Sequence, residues 1–109
     1  MTDLRRQIIP ETMRSRDSAT FTGSYQTLGS PLANSARIIK FVNDSDQDVT
    51  ISYDGTNDHD IVLAGGFTLY DFTTNRSGPS PLAVSTNTQF YVKGAAGTGL
   101  IYLVVFYAN

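Results

Sequence analysis

Eight consecutive apolar residues, Leu100 to Tyr107, close this chain directly after the glycine-rich stretch Gly94-Ala95-Ala96-Gly97-Thr98-Gly99. The run is far short of the roughly 20 residues that a membrane-crossing helix needs. It is β-branched and aromatic and follows turn residues, so it reads as a strand. Successive strand residues point to opposite faces, and here both faces are apolar, with Leu100, Tyr102, Val104 and Phe106 on one of them. Such a strand is expected to lie centrally in its sheet and to be covered on both sides. In a lone two-sheet sandwich the outer face of a strand is wet. The second face is therefore expected to meet another subunit or the N-terminal segment, and the plainer alternative is cover by loops of the same chain.

The stretch Arg37 to Leu63 sets the period of the rest. Val49, Ile51 and Tyr53 alternate with Asp48, Thr50, Ser52 and Asp54, which is the pattern of a half-buried strand. Ile38-Ile39-Lys40-Phe41-Val42 precedes it, and the turn-forming cluster Asn43-Asp44-Ser45-Asp46-Gln47 between the two predicts an antiparallel hairpin. Further strands are expected at Thr20–Tyr25, Ile61–Leu63, Phe67–Phe72 and Gln89–Lys93. They are separated by Gly29-Ser30-Pro31, Asp54–Asp58, Ala64–Gly66 and the polar Thr73–Pro81 loop. About seven strands with no helical period predict an all-β fold, a single antiparallel β-sandwich, jelly-roll-like, over residues 19–109.

Residues 1–18 differ. Four of the eight Lys and Arg, namely Arg5, Arg6, Arg14 and Arg16, fall here with little apolar content beyond Leu4, Ile8, Ile9 and Met13, and Pro10 interrupts any helix. The segment is expected to be an extended arm held by another chain, docking through Arg5, Arg6, Ile8, Ile9, Arg14 and Arg16. The alternative is a frayed terminus.

A chain of 109 residues is one domain's worth, and it contains no cysteine, which excludes disulfides, thiolate metal sites and thiol catalysis. A net charge of -2 argues against nucleic acid as a partner recruited by overall charge. No apolar leader opens the sequence and no membrane partner is expected. Asp44, Asp46 and Asp48 imitate the start of a calcium loop, but Val49 stands where its glycine belongs and Gly55 where its terminal glutamate belongs. They are read as turn-capping and edge-blunting residues, with a cation site as the lesser alternative. His59, the only histidine, has no nucleophile motif to serve, and the glycine stretch lacks the Lys-Ser or Lys-Thr of a phosphate loop. No catalytic residue and no cofactor is expected. The six tyrosines leave room for a sugar-stacking platform, a reading weakened by the absence of Trp.

Thr22-Gly23-Ser24-Tyr25-Gln26, Arg37–Asn43, Ser52–Asp60, Leu69-Tyr70-Asp71-Phe72 and Thr88–Gly94, following the arm, resemble the small β-sandwich virion proteins of tailed bacteriophages. The resemblance spans residues 20 to 107. It implies a non-enzymatic virion component, made in the bacterial host cytoplasm: a capsid decoration protein or a neck, collar or tail accessory protein. It also implies a homo-oligomer whose partners are other virion proteins of the capsid, portal, neck or tail. The alternative is a carbohydrate-binding β-sandwich module of a phage receptor-binding fibre.

Overall fold

The computed structural model describes residues 8–73 and 83–108. These residues form an all-β sandwich of two antiparallel sheets packed face to face. The strands are β1 (Ile8–Pro10), β2 (Arg14–Asp17), β3 (Gln26–Thr27), β4 (Ala36–Ser45), β5 (Val49–Ser52), β6 (Asp60–Val62), β7 (Phe67–Asp71), β8 (Tyr91–Lys93) and β9 (Gly99–Ala108). A single 3-10 turn, Ser18–Thr20, is the one helical piece among the described residues.

The first sheet has the order β1-β9-β4-β7, with β2 also on β9, and the second the order β3-β8-β5-β6. As the doubly apolar run requires, β9 lies inside its sheet, with β4 along one side and β1 and β2 along the other. Its Ile101, Leu103 and Val105 are fully buried. They meet Ile39 and Phe41 of β4 and, from the second sheet, Val49, Ile51, Val62 and Val92 in one core. A chain of edge-on aromatic contacts ties the layers together. Phe41 of β4 lies 5.3 Å from Phe90 between ring centroids, and Phe90 lies 4.9 Å from Tyr53. Such pairs contribute about 0.5–1.5 kcal/mol beyond the area they bury.

Expectations are corrected in two places, the strand pattern and the N-terminal arm. First, β4 and β5 are not a hairpin: β4 belongs to the first sheet and β5 to the second. Asn43 makes the corner. Its buried side-chain amide donates to the carbonyls of Gln47 (2.7 Å) and Val62 (2.9 Å), and its Oδ1 accepts from the Ser45 hydroxyl (2.6 Å). The turn residues reverse the chain, but these bonds carry it across the core instead of back along β4. The glycine stretch, too, links β8 in one sheet to β9 in the other. The predicted Thr20–Tyr25 strand is likewise replaced by the 3-10 turn and irregular backbone that buries Phe21.

Second, the described part of the N-terminal arm has a home in its own domain. Ile8, Ile9 and Pro10 pair with Ala108, Tyr107 and Phe106, and Arg14 to Asp17 pair with Leu103 to Leu100. Thr12 and Met13 form a break between the two segments, so β1 and β2 act as one interrupted edge strand. Arg14 and Arg16 alternate with exposed Ser15 and Asp17 and turn toward the second sheet. Arg14 Nε donates to the Ser30 carbonyl (2.8 Å) and Nη2 to the Pro31 carbonyl (2.9 Å) and to Glu11 Oε1 (2.8 Å). Arg16 Nη1 donates to the Thr27 carbonyl (3.0 Å) and Nε to Thr20 Oγ1 (3.1 Å). The guanidiniums thus close one side of the sandwich, which offsets the ordering entropy that little apolar burial alone would leave uncompensated. Removal of residues 1–18 would also remove the buried Ser18, whose hydroxyl donates to the Gly99 carbonyl (2.9 Å), and would bare the edge of β9.

Candidate functional site

The outer face of the first sheet is the most unusual surface among the described residues. Antiparallel partners share a face, so the register fixes which side chains stand together. Leu100, Tyr102, Val104 and Phe106 of β9 are partners of Asp44, Val42, Lys40 and Ile38 of β4. In turn Val42, Lys40 and Ile38 are partners of Phe67, Leu69 and Asp71 of β7. On the other side, Pro10 opposes Phe106 and Ile8 opposes Ala108. All four predicted self-association residues of β9 are only half-buried. Around them stand large exposed apolar side chains: Phe67 at 67% exposure, Leu69 at 52% and Ile8 at 47%.

The result is a largely apolar face, interrupted by Lys40 near its centre and bordered by Ser15 and Asp17 beside Tyr102 and Leu100 and by Asp44 and Asp71. Single exposed apolar residues are ordinary, but a contiguous patch rimmed by polar groups marks an interaction surface. The β9 residues were legible in the sequence. Phe67 and Leu69 were legible only as strand residues, because nothing in Phe67–Asp71 shows that it ends the sheet.

The remaining predicted site residues fall elsewhere. Ile8 and Ile9 lie in β1, Arg14 and Arg16 are engaged within their own chain, and Arg5 and Arg6 lie outside the described residues. A depression of about 520 Å³ beside the Arg14 contacts is lined by Pro10, Thr12, Met13, Ser30, Asn34 and Tyr107. Its charged groups are satisfied internally: Glu11 accepts from Arg14 and from the backbone (2.9 Å) and side chain (3.1 Å) of Asn34. Burial alone would raise the Glu11 carboxyl, but these bonds outweigh it and hold the group below its ordinary range.

The acidic residues cap loops. Asp46 Oδ1 accepts from the Thr98 N–H (2.9 Å) and Asp48 Oδ1 from the Ala64 N–H (2.9 Å), on different loops, while Asp44 stands beside Leu100 on the outer face. Among the described residues no three carboxylates or imidazoles are grouped to hold a metal ion. Asp54 accepts from the N–H groups of Thr56 (2.8 Å) and Asn57 (2.9 Å), bonds that hold its carboxyl well below the usual range. The His59 Nδ1 accepts the Tyr53 N–H (3.0 Å), so the ring closes the β5–β6 turn.

The tyrosines are drawn into similar structural pairs. Tyr25 donates to Asp58, whose carboxylate lies 3.2 Å from Lys93 Nζ, and Tyr70 donates to Asp60. Burial first, then the bonded Asp58 carboxylate, pushes Tyr25 up to about 12. Tyr53 is raised chiefly by burial, and Tyr70 by burial and the Asp60 bond. A group whose folded value is raised contributes stability that is complete below its unfolded value and fades as pH climbs through the folded one. We therefore expect these three phenols to ionise above the ordinary value of 10.0, with thermal stability falling across that alkaline range. Phenolate absorbance followed alongside melting checks this. Stability that stays flat while all phenols ionise near the ordinary value would contradict it.

Fold and surface together define an all-β sandwich with a largely apolar outer face on one sheet, bordered by polar and charged residues. Compared with known proteins, the chain matches no family model, no curated protein and no solved structure.

Proposed function

We propose that this chain is a non-enzymatic structural protein of a bacteriophage particle, a capsid decoration or a neck, collar or tail accessory component. It stabilises the particle by self-association through the outer face of β9 and by docking onto other virion proteins. The apolar outer face of the first sheet carries the reading. Interfaces between permanent partners resemble a protein core cut in two, and this face has that character while keeping a charged border. The strand order supports it further. With β1 and β2 as one edge strand, successive strands alternate between β2-β9-β4-β7 and β3-β8-β5-β6 except at the β5–β6 hairpin. That alternation supports a jelly-roll reading, an architecture used by viral capsid domains and by lectins. The lectin alternative is less well supported, because Tyr25, Tyr53 and Tyr70 are occupied by Asp58, His59 and Asp60 instead of forming an open platform. With Arg14 and Arg16 engaged internally, Arg5 and Arg6 are the arm cations left to this docking role, and attachment through them weakens with salt.

Two measurements test the proposal. Val104 sits mid-face, so Val104→Lys is expected to reduce the solution mass of the oligomer by light scattering while circular dichroism still shows a folded β domain, with a lowered Tm because the new Lys stands opposite Lys40. An unchanged mass would remove β9 from the interface. For the particle itself, antibody to the purified chain is expected to detect it in phage particles banded by density from cells that carry the gene. Particles free of the chain, with all of it in the soluble fraction, would overturn the virion assignment.

A further inference from the structure

Among the described residues β7 forms one edge of the first sheet and pairs only with β4. In an antiparallel ladder, residues alternate between exchanging hydrogen bonds with the partner strand and pointing their N–H and C=O away from it. The Asn43 N–H donates to the Gly66 carbonyl (2.9 Å) and the Phe72 N–H to the Arg37 carbonyl (2.8 Å). These contacts fix the phase, so Thr68 and Tyr70 exchange bonds with β4 while Phe67 and Leu69 aim their backbone groups away from β4. The same two residues carry the most exposed apolar side chains of the face.

Natural sheets protect such edges with proline, breaks, charge or brevity. The opposite edge has Pro10 and the interruption at Thr12–Met13, and the second sheet ends in strands of two and three residues, β3 and β6. Among the described residues β7 has none of these within Phe67–Tyr70, and it pairs only with β4.

We infer that the edge of β7 pairs antiparallel with β7 of a second copy of this chain about a twofold axis at Thr68, joining two first sheets into one continuous sheet. A second copy is the occupant because the strand is complementary to itself. This register sets Phe67 of each copy opposite Leu69 of the other, an aromatic–aliphatic cross-strand pair. It uses the outward N–H and C=O of both residues. The two Asp71 carboxylates fall at opposite ends of the pair, each beyond the other copy's Phe67, so no like charges oppose each other. A twofold contact of this kind closes on itself and does not propagate. The inference rests on the self-association part of the reading above and assigns it a particular edge.

Residue-resolved amide exchange by NMR over a dilution series tests it. At high concentration the amides of Phe67 and Leu69 are expected to be protected, and on dilution to become fast, while those of Thr68 and Tyr70 stay slow throughout. Packing through the face alone would not give that alternation. Leu69→Pro removes an outward N–H without breaking a bond to β4, and is expected to halve the mass of the oligomer. Should Leu69→Pro fail to fold, the exchange pattern of the wild-type chain decides. Phe67 and Leu69 amides that are equally fast at every concentration overturn edge pairing. If they are fast while Val104→Lys still lowers the mass, the face reading survives alone. If their protection persists in Val104→Lys with no change of mass, the edge stands and the face reading fails.

Discussion

Gly99→Ala is expected to destabilise the domain by about 2–4 kcal/mol, combining a strained left-handed residue with overpacking against backbone. Gly99 has φ +116°, where side chains are rarely tolerated. A Cβ there would collide with the carbonyl oxygen of Asp44 and lie 2.8 Å from Ser45 Cα, both main-chain atoms of the neighbouring β4. No rotamer change relieves a backbone clash, so β9 would have to separate from β4 at the end of the longest pairing in the fold. For a domain of this size each kcal/mol lowers Tm by roughly 4–8 °C, so the loss is plain in a melting curve. Gly65→Ala is the control, because Gly65 has φ +76° with open space around it. It is expected to cost only the conformational part, about 1 kcal/mol. Equal losses at the two positions would show that the approach of β9 to Asp44 is not tight.

That contact also shows how far the sequence could be read. The run Leu100–Tyr107 contains its own instruction: two apolar faces place it inside a sheet, and β9 lies there. The half-covered residues Leu100, Tyr102, Val104 and Phe106 follow from the same alternation. The turn clusters were legible as reversals but not as crossings, because Asn and Asp favour a bend without specifying which sheet receives the next strand. That choice was made by Asn43, through bonds to Gln47 and to Val62, nineteen residues away in sequence. The edge position of β7 among the described strands was hidden for a related reason. Edge status depends on long-range pairing of Phe67–Asp71 with β4, and no local pattern encodes the absence of a further neighbour. The internal pairing of residues 8–17 was hidden because arginines in polar surroundings look solvated. The signal present was a period of two, Arg14 and Arg16 inward against Ser15 and Asp17 outward, with Glu11 three residues before Arg14.

Arg14→Ala is accordingly expected to destabilise the domain by about 2–4 kcal/mol, because breaking one partner out of a buried ion pair leaves the other charge uncompensated. The Arg14 and Glu11 side chains are only 9% and 6% exposed, with 2.8 Å between Nη2 and Oε1. An exposed pair would contribute at most about 1 kcal/mol, so burial decides the magnitude. Loss of the guanidinium also leaves the Ser30 and Pro31 carbonyls without their donor. Glu11→Ala is expected to lose a similar amount, since Asn34 then loses its acceptor as well. The double variant is expected to lose less than the sum by at least about 1 kcal/mol, the mark of residues in one network. Denaturant melts of the four proteins give the cycle, and additive losses would mean the pair does not act as a unit. A loss below about 0.5 kcal/mol for Arg14→Ala, within the range of ordinary surface changes, would mean that β1 and β2 detach at little cost. Residues 8–17 would then be free to lie along a neighbouring subunit, and the arm would regain the docking role that the internal pairing now denies to Arg14 and Arg16.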